Sequence, residues 1–467
     1  MNKLQNIYIT VMGVYYLLDY TAPRGMPFWR PAFGILLLIN AFIFILEVTF
    51  RNRHRDLSRI RALALAIWFA LLTYWIAIPS IIAIMGRSAN EPFYITYFLG
   101  DLAQIIMLFI GIGLGILWSS SFQIKALSMY LLAAALVAPI SANKLWGLQY
   151  HWVGRFDPPH VLLISASAAG IMCASRGKDR LIWLIAALGM ILLAALSGMR
   201  TILFLALLSL VFVATLALFR LLRIAVRRRQ RAVNLIILSS FISAFVAALA
   251  LIGNGLLDSN NRSFVSARDA VIANLLLKKS RLTLLLNDGI EGDESLLGRM
   301  LEVLDVTNQV AEDCVVGNVA RCIFGRGHGA TFEAEISHPG PNITPEGRVH
   351  NVHFGPALLV FRYGLPGLLG YISMLILGLY NLYFFFRHCS AACARRYRAQ
   401  ERRQLFVFGT IALALVLSTI NFTMRTILVD PLTGLILGLN IGYFLQTRSL
   451  LVRHPRTYDL GKRLSNA

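Results

Sequence analysis

Acidic residues are scarce in this sequence, with 23 Asp and Glu against 44 Lys and Arg, and the four charged types make up only 14% of 467 residues. Set against 57% hydrophobic residues and a mean hydropathy of +0.66, so little charge excludes an ordinary soluble domain and indicates a polytopic membrane protein. The net charge of +21 would suit a nucleic-acid partner in a soluble chain. Here the arginines gather in short runs between apolar stretches, which is the positive-inside pattern, so no nucleic-acid partner is expected. Cysteines are also few. Cys173, Cys389 and Cys393 fall at or near span ends read as cytoplasmic, while Cys314 and Cys322 share one polar stretch and can close a small disulfide loop if that stretch faces an oxidising compartment. No zinc spacing accompanies them, so no metal is expected. A P-loop, a dinucleotide fingerprint and a Ser/His/Asp constellation are all missing, and no cofactor is implied. A cleavable signal is not evident, since only Lys3 precedes the first apolar run and Asp19-Tyr20 stands where cleavage would fall.

What the chain does have is long apolar runs. A helix needs about 20 mainly apolar residues to cross a bilayer. That window predicts about twelve spans, at roughly 5–22, 31–50, 63–85, 97–118, 126–142, 160–175, 181–198, 201–221, 233–252, 365–386, 404–422 and 428–446. An apolar shoulder, Phe354 to Tyr363, precedes the tenth and reads as a short re-entrant or tilted helix. Every even-numbered exit is basic: Arg51 to Arg61, Arg176 to Arg180, Arg227 to Arg231, Arg395 to Arg403, and the tail from Arg448. The expected fold is therefore an all-α polytopic membrane protein with both termini in the cytoplasm. It divides into spans one to nine (1–252), a large, partly helical periplasmic loop (253–353), a re-entrant segment with spans ten to twelve (354–447) and a cytoplasmic tail (448–467).

The loop has its own order. Leu297, Met300, Leu301 and Leu304 recur at helical spacing, with Glu294 or Ser295 able to cap the start. Gly325-Arg326-Gly327-His328-Gly329 is turn chemistry, and it lacks the strand-to-helix setting in which such glycines cradle phosphate. Several polar residues fall on the same face. Arg200 follows a Ser197-Gly198-Met199 turn; it either snorkels to lipid headgroups or faces inward as a phosphate ligand. Arg425 poses the same choice, with Asp430 a candidate partner. Arg299, on the loop helix, is either solvated or turned down to share a diphosphate with Arg200, a task that suits the forked, permanently charged guanidinium. His350 and His353 are candidate general bases or interfacial hydrogen-bonding histidines. Asn351 could hold an imidazole tautomer or bind a sugar hydroxyl. Arg155 and Asp157 introduce span six, and Asp157, or Asp101 within span four, could orient a base, bind sugar hydroxyls or serve structure alone.

Arginines and a histidine on one outer face suit a membrane-embedded substrate whose leaving group is a phosphate. The motifs resemble those of the bacterial O-antigen ligase and polysaccharide polymerase superfamily. Leu196-Ser197-Gly198-Met199-Arg200-Thr201 is similar to its Ser-Gly-Ser-Arg-Thr turn, with Met199 in place of Ser. Gly298-Arg299 followed by Phe324-Gly325-Arg326-Gly327 is similar to its Arg-helix and Gly-x-Gly segment. Val349-His350-Asn351 with Phe361 to Leu368 is similar to its His-Asn…Gly-Leu-x-Gly segment, and Arg155 to His160 resembles its approach to span six, with Pro159-His160 in place of Pro-Asn. The resemblance implies a metal-independent, inverting glycosyltransferase of the bacterial inner membrane, acting on its periplasmic face. Its donor would be a polyprenyl-diphosphate-linked oligosaccharide. Its acceptor would be another carrier-linked glycan for a polymerase, or lipid A-core or a protein for a ligase, with chain-length or export proteins as further partners. It implies Arg200 and Arg299 at the diphosphate and His350 as the base, with Arg155, Asp157, Asn351, His353 and Arg425 binding substrate. A twelve-span transporter or flippase is the other class, disfavoured by one large insert after span nine and by the absence of related halves.

Overall fold

The computed structural model describes residues 2–21, 29–53, 59–88, 93–119, 122–146, 157–174, 177–196, 204–214, 294–333, 348–352, 354–392, 399–424 and 431–453. These are almost entirely helical. In chain order the helices are α1 (Asn2–Thr21), α2 (Trp29–Arg53), α3 (Arg59–Ser88), α4 (Ile95–Trp118), α5 (Ile124–Trp146), α6 (Asp157–Cys173) and α7 (Gly177–Leu196). There follow α8 (Phe204–Ala214), then α9 (Glu294–Val315), α10 (Val319–Phe324), α11 (Gly355–Ala392), α12 (Ala399–Met424) and α13 (Pro431–Arg453). The only extended pairing among the described residues is an antiparallel bridge between Phe332 and Val349.

Among the described residues, five helices contain stretches long and apolar enough to cross a membrane: Pro31–Phe50, Arg61–Gly86, Ile95–Trp118, Gly355–Phe386 and Arg403–Thr423. Shorter apolar helices stand beside them, including His160–Cys173 and Leu432–Leu445. Leu38, Phe42, Phe69 and Ile376 are exposed on α2, α3 and α11, a surface that hydrocarbon covers at no cost and water does not. The architecture is that of an all-α, membrane-embedded protein. The predicted span at 233–252 lies outside the described residues.

At the centre is α4, which packs against α2, α3 and α13. Small residues set its closest crossing. Gly111 and Gly115 of α4 face Gly434 and Gly438 of α13, each spaced by four, so the two backbones approach within reach of each other's carbonyls. A Cβ at Gly434 would stand 2.2 Å from Leu108 O, and one at Gly438 would stand 2.1 Å from Ile112 O. Deeper in the bundle, Asn440 Nδ2 donates to Ile411 O and Ile436 O, and Asn381 Nδ2 donates to Asn440 Oδ1, so these buried amides find partners where water is excluded.

The apolar shoulder before span ten is the first part of α11. Gly364, at φ 59° and ψ −146°, breaks the helix between it and the rest, and Pro366 follows. The loop helix is longer than its first leucines suggest. Its buried stripe runs through Val303, Val306 and Val310, which pack on Phe332, Val349, Val352, Leu358 and Phe361. Leu304, read from sequence as part of the apolar face, is 54% exposed, because the stripe that finds a packing partner lies a residue away and continues further along the helix.

The α4–α13 crossing predicts a sharp asymmetry between glycines. Gly438→Leu should destabilise the detergent-solubilised protein by about 1–3 kcal/mol or more through overpacking. Gly100→Ala, with nothing within 4 Å of the added carbon, should leave the melting temperature unchanged or slightly raised. Equal melting temperatures for the two variants would contradict the crossing.

Candidate active site

Asp101 on α4 and Arg362 on α11 are buried charges inside apolar helices, and they meet. Arg362 Nη1 donates to Asp101 Oδ1 at 2.9 Å. Both are buried, Arg362 with only 4% exposure. An intramembrane charge is stable only when paired, and each of these is the other's nearest counter-ion. Asp101 Oδ2 accepts the backbone N–H of Gly329 at 2.7 Å. Arg362 Nη2 donates to His350 O at 2.6 Å and to Asn351 Oδ1 at 2.9 Å. Nη2 has two hydrogens, and these two oxygens take them. The His350 ring nitrogens, 3.1 and 3.0 Å from the same Nη2, therefore lie against the guanidinium rather than receiving a full hydrogen bond from it. His350 Nε2 is 3.4 Å from Asp101 Oδ1, and Tyr97 stacks on the ring at 4.0 Å and 8°.

The segment Gly325 to Gly329 plugs into the helices beside this pair, and two prolines explain where. In a continuous helix the carbonyl four residues before a proline has no N–H to accept. Pro79 in α3 so orphans Trp75 O, and Pro366 in α11 orphans Arg362 O. His328 Nε2 reaches Trp75 O at 3.2 Å, and Gly327 N–H donates to Arg362 O at 2.9 Å. The break at Gly364 frees Phe361 O as well, and Arg326 N–H takes it at 2.8 Å. In hydrocarbon such carbonyls must be satisfied by protein. Gly327 fits because it has φ +85° and because a Cβ there would meet Pro79 O at 2.3 Å.

These contacts fix the His328 tautomer. A carbonyl can only accept, so Nε2 carries the hydrogen and Nδ1 accepts from Tyr363 OH, 3.3 Å away. Burial first, then the nearby Arg362, hold the His328 ring below its ordinary value of 6.5 despite Asp101. His350 is lowered for the same reasons, burial foremost and Arg362 second, against Asp101 and a backbone hydrogen bond with Ala330.

The plug is anchored on its other side by α9 and α10. Arg326 Nε and Nη2 form a two-pronged pair with Asp313 at 2.7 and 3.0 Å, and the guanidinium lies over the Phe361 ring. Next to Asp313, a disulfide joins Cys314 to Cys322 and ties the end of α9 to α10. Phe332 and Val349 exchange backbone hydrogen bonds at 2.9 and 2.8 Å, which sets the position of His350 one residue on.

An apolar cavity of about 370 Å³ adjoins the polar group, bounded by α3, α4, α11 and α13. Trp75, Ile105, Leu359 and Gly367 line it. Ile105 is one turn beyond Asp101 on α4, and Trp75 packs edge-on against Tyr363 at 4.9 Å. The polar cluster thus lies one helical turn from the lining of an apolar space.

Of the residues singled out in the sequence, His350 and Asn351 are in this cluster. Asn351 uses its oxygen on Arg362. Arg299 lies on α9 and Asp157 opens α6, but their side chains lie outside what is described. Arg155, Arg200, His353 and Arg425 are outside the described residues. Among the described residues no group of three or more His, Cys, Asp or Glu is arranged to hold a metal ion. Arg362 and His328 were not singled out as site residues. The usable signal for Arg362 was one arginine and one aspartate each alone in an apolar run; for His328 it was a glycine-flanked histidine in a chain with prolines inside several spans. No protein-family model and no curated protein matches the chain. The resemblance to the ligase and polymerase superfamily rests on the quoted motifs.

The lowered histidines predict a pH response. Below 6.5 the unfolded chain takes up protons that the folded chain refuses at both rings, so stability falls as pH falls from that value toward the lowered folded-state values. Melting curves from about pH 8 to about pH 5 should show this decline. His328→Gln, which keeps a donor for Trp75 O, should flatten it. Wild-type stability that is level or rises on acidification would contradict the neutral, buried rings.

Proposed function

We propose that this protein is a membrane glycosyltransferase that moves a glycan from a polyprenyl-diphosphate carrier to an acceptor hydroxyl, as a polysaccharide polymerase joining carrier-linked repeat units. The observation that carries the reading is the junction of a buried His-Asn-Arg-Asp cluster with an apolar cavity of about 370 Å³. An amphiphile fits such a junction, with its chain among Ile105 and Leu359 and its polar head at Arg362 and His350. The motif resemblance narrows the amphiphile to a sugar-bearing polyprenyl diphosphate. In the full arrangement, about twelve spans place both termini in the cytoplasm of a bacterial inner-membrane protein, with 253–353 on the periplasmic side. The Cys314–Cys322 disulfide supports that side, because disulfides persist in oxidising compartments.

The chemistry follows from the leaving group. The acceptor hydroxyl attacks the anomeric carbon from the face opposite the diphosphate, the carbon–oxygen bond to the diphosphate breaks, and the configuration inverts. His350 takes the hydroxyl proton. Arginines offset the charge that builds on the departing diphosphate, Arg200 and Arg299 by the motif resemblance. Arg155, Asp157, Asn351, His353 and Arg425 bind the sugars or the acceptor. A ligase that uses lipid A-core or a protein as acceptor runs the same step, and only the acceptor distinguishes the two.

Purified protein given a polyprenyl-diphosphate oligosaccharide alone should yield a ladder of multiples. His350→Gln should lower the rate by about 10²–10⁴-fold, the usual contribution of a general base. One transfer per molecule, seen only after lipid A-core or a protein is added, would replace polymerase with ligase. No product in either format with the native host's own glycan would sink the glycosyltransferase reading.

A further inference from the structure

Arg362 has a donor left over. Its Nη groups serve Asp101, His350 O and Asn351, yet its Nε–H has no acceptor among the described residues, on a side chain only 4% exposed. A guanidinium never sheds its charge to escape such a position. A simple structural ion pair has no reason to leave a buried donor unmet, since the desolvation of that donor opposes folding. The location is equally specific. Leu359, one turn before Arg362, and Ile105, one turn after Asp101, both line the apolar cavity. The guanidinium therefore stands within one helical turn of the lining of the space that would take a lipid chain.

His350 shows what the present arrangement costs. The residue is 6% exposed, with Arg362 Nη2 3.1 and 3.0 Å from its two ring nitrogens and Tyr97 stacked on one face. A base in this position has a fixed positive charge where the proton must arrive.

We propose that Arg362 is a further arginine that takes the diphosphate of the carrier, and that its move onto the anion is what frees His350 to act as a base. This rests on the glycosyltransferase reading above and adds to it a residue and an order of events. A diphosphate oxygen first accepts the unmet Nε–H and then competes for Nη2–H, which leaves His350 O and Asn351. With the guanidinium neutralised by phosphate instead of lying against the imidazole, the ring gains basicity only when a donor is in place. Before that, no competent base stands ready to activate water, and wasteful hydrolysis of the donor is suppressed. The fork of Arg362 suits phosphate oxygens, and charge-assisted bonds of this kind are about twice as strong as neutral ones.

The test compares two ligands of one chain length, a polyprenyl diphosphate and the corresponding neutral polyprenol, bound to full-length protein in lipid nanodiscs. Wild type should prefer the diphosphate. The paired substitution Asp101→Asn with Arg362→Gln removes both charges while keeping amide donors and acceptors. It should cut that preference by at least about tenfold and leave polyprenol affinity unchanged. If the pair does not fold, Arg362→Lys serves: it keeps a cation for Asp101 but has no Nε–H, and should reduce the preference at least about threefold. An unchanged ratio, or an equal loss of both ligands, overturns the proposal and leaves the transferase reading in place. A wild type that shows no preference for the diphosphate overturns both.

Discussion

A buried carboxylate and a buried guanidinium, 2.9 Å apart, join parts of the chain that are 261 residues distant. In a low-dielectric interior neither charge is tolerable alone, and together they are stable only if their remaining donors and acceptors are also met. That requirement recruits much of what surrounds them. Asp101 calls for a second donor and receives the Gly329 N–H, so the glycine segment must come to α4. Arg362 calls for oxygens and receives His350 O and Asn351 Oδ1, so the chain leading into α11 must pass beneath it. The pair thus draws α4, α11, the plug and the His350 segment to one point.

Two prolines add a second demand of the same kind. Trp75 O and Arg362 O are acceptors that their own helices cannot satisfy, and they lie on either side of the plug. His328 and Gly327 satisfy them, and in doing so settle the His328 tautomer and the path of the backbone between α3 and α11. The Arg326–Asp313 pair and the Cys314–Cys322 disulfide hold the plug's stem to α9 and α10. A proline within α3 and a break in α11, often read as weaknesses, here create the sockets for the loop that completes the site.

Within the described residues the helices were legible in the sequence where an apolar window was long, and the segment before span ten was legible as an apolar shoulder, which Gly364 and Pro366 set off from the rest of α11. His350-Asn351 was legible as a polar pair at the edge of an apolar run. The pairing of Asp101 with Arg362 was not, because no local period links positions so far apart; only the cost of a lone intramembrane charge hints at it. His328 was hidden for a related reason: its role depends on carbonyls orphaned in two other helices. Leu304 was misassigned because a stripe of valines runs beside it on α9, and packing against Phe332 and Phe361 chose the valines over Leu304. The arginines that the motif resemblance brings forward, Arg155, Arg200 and Arg425, stay a matter of sequence alone, as does His353.

A double-mutant cycle of thermal stability in detergent, at constant pH, bears most directly on the claim that the Asp101–Arg362 pair organises the site. Asp101→Asn and Arg362→Gln should each cost about 3–5 kcal/mol, because each leaves the other charge buried and unpaired. Combined, they should cost less than their sum and no more than the worse of the two. Additive losses would mean that the two residues act separately, and would contradict the account of the site built around them.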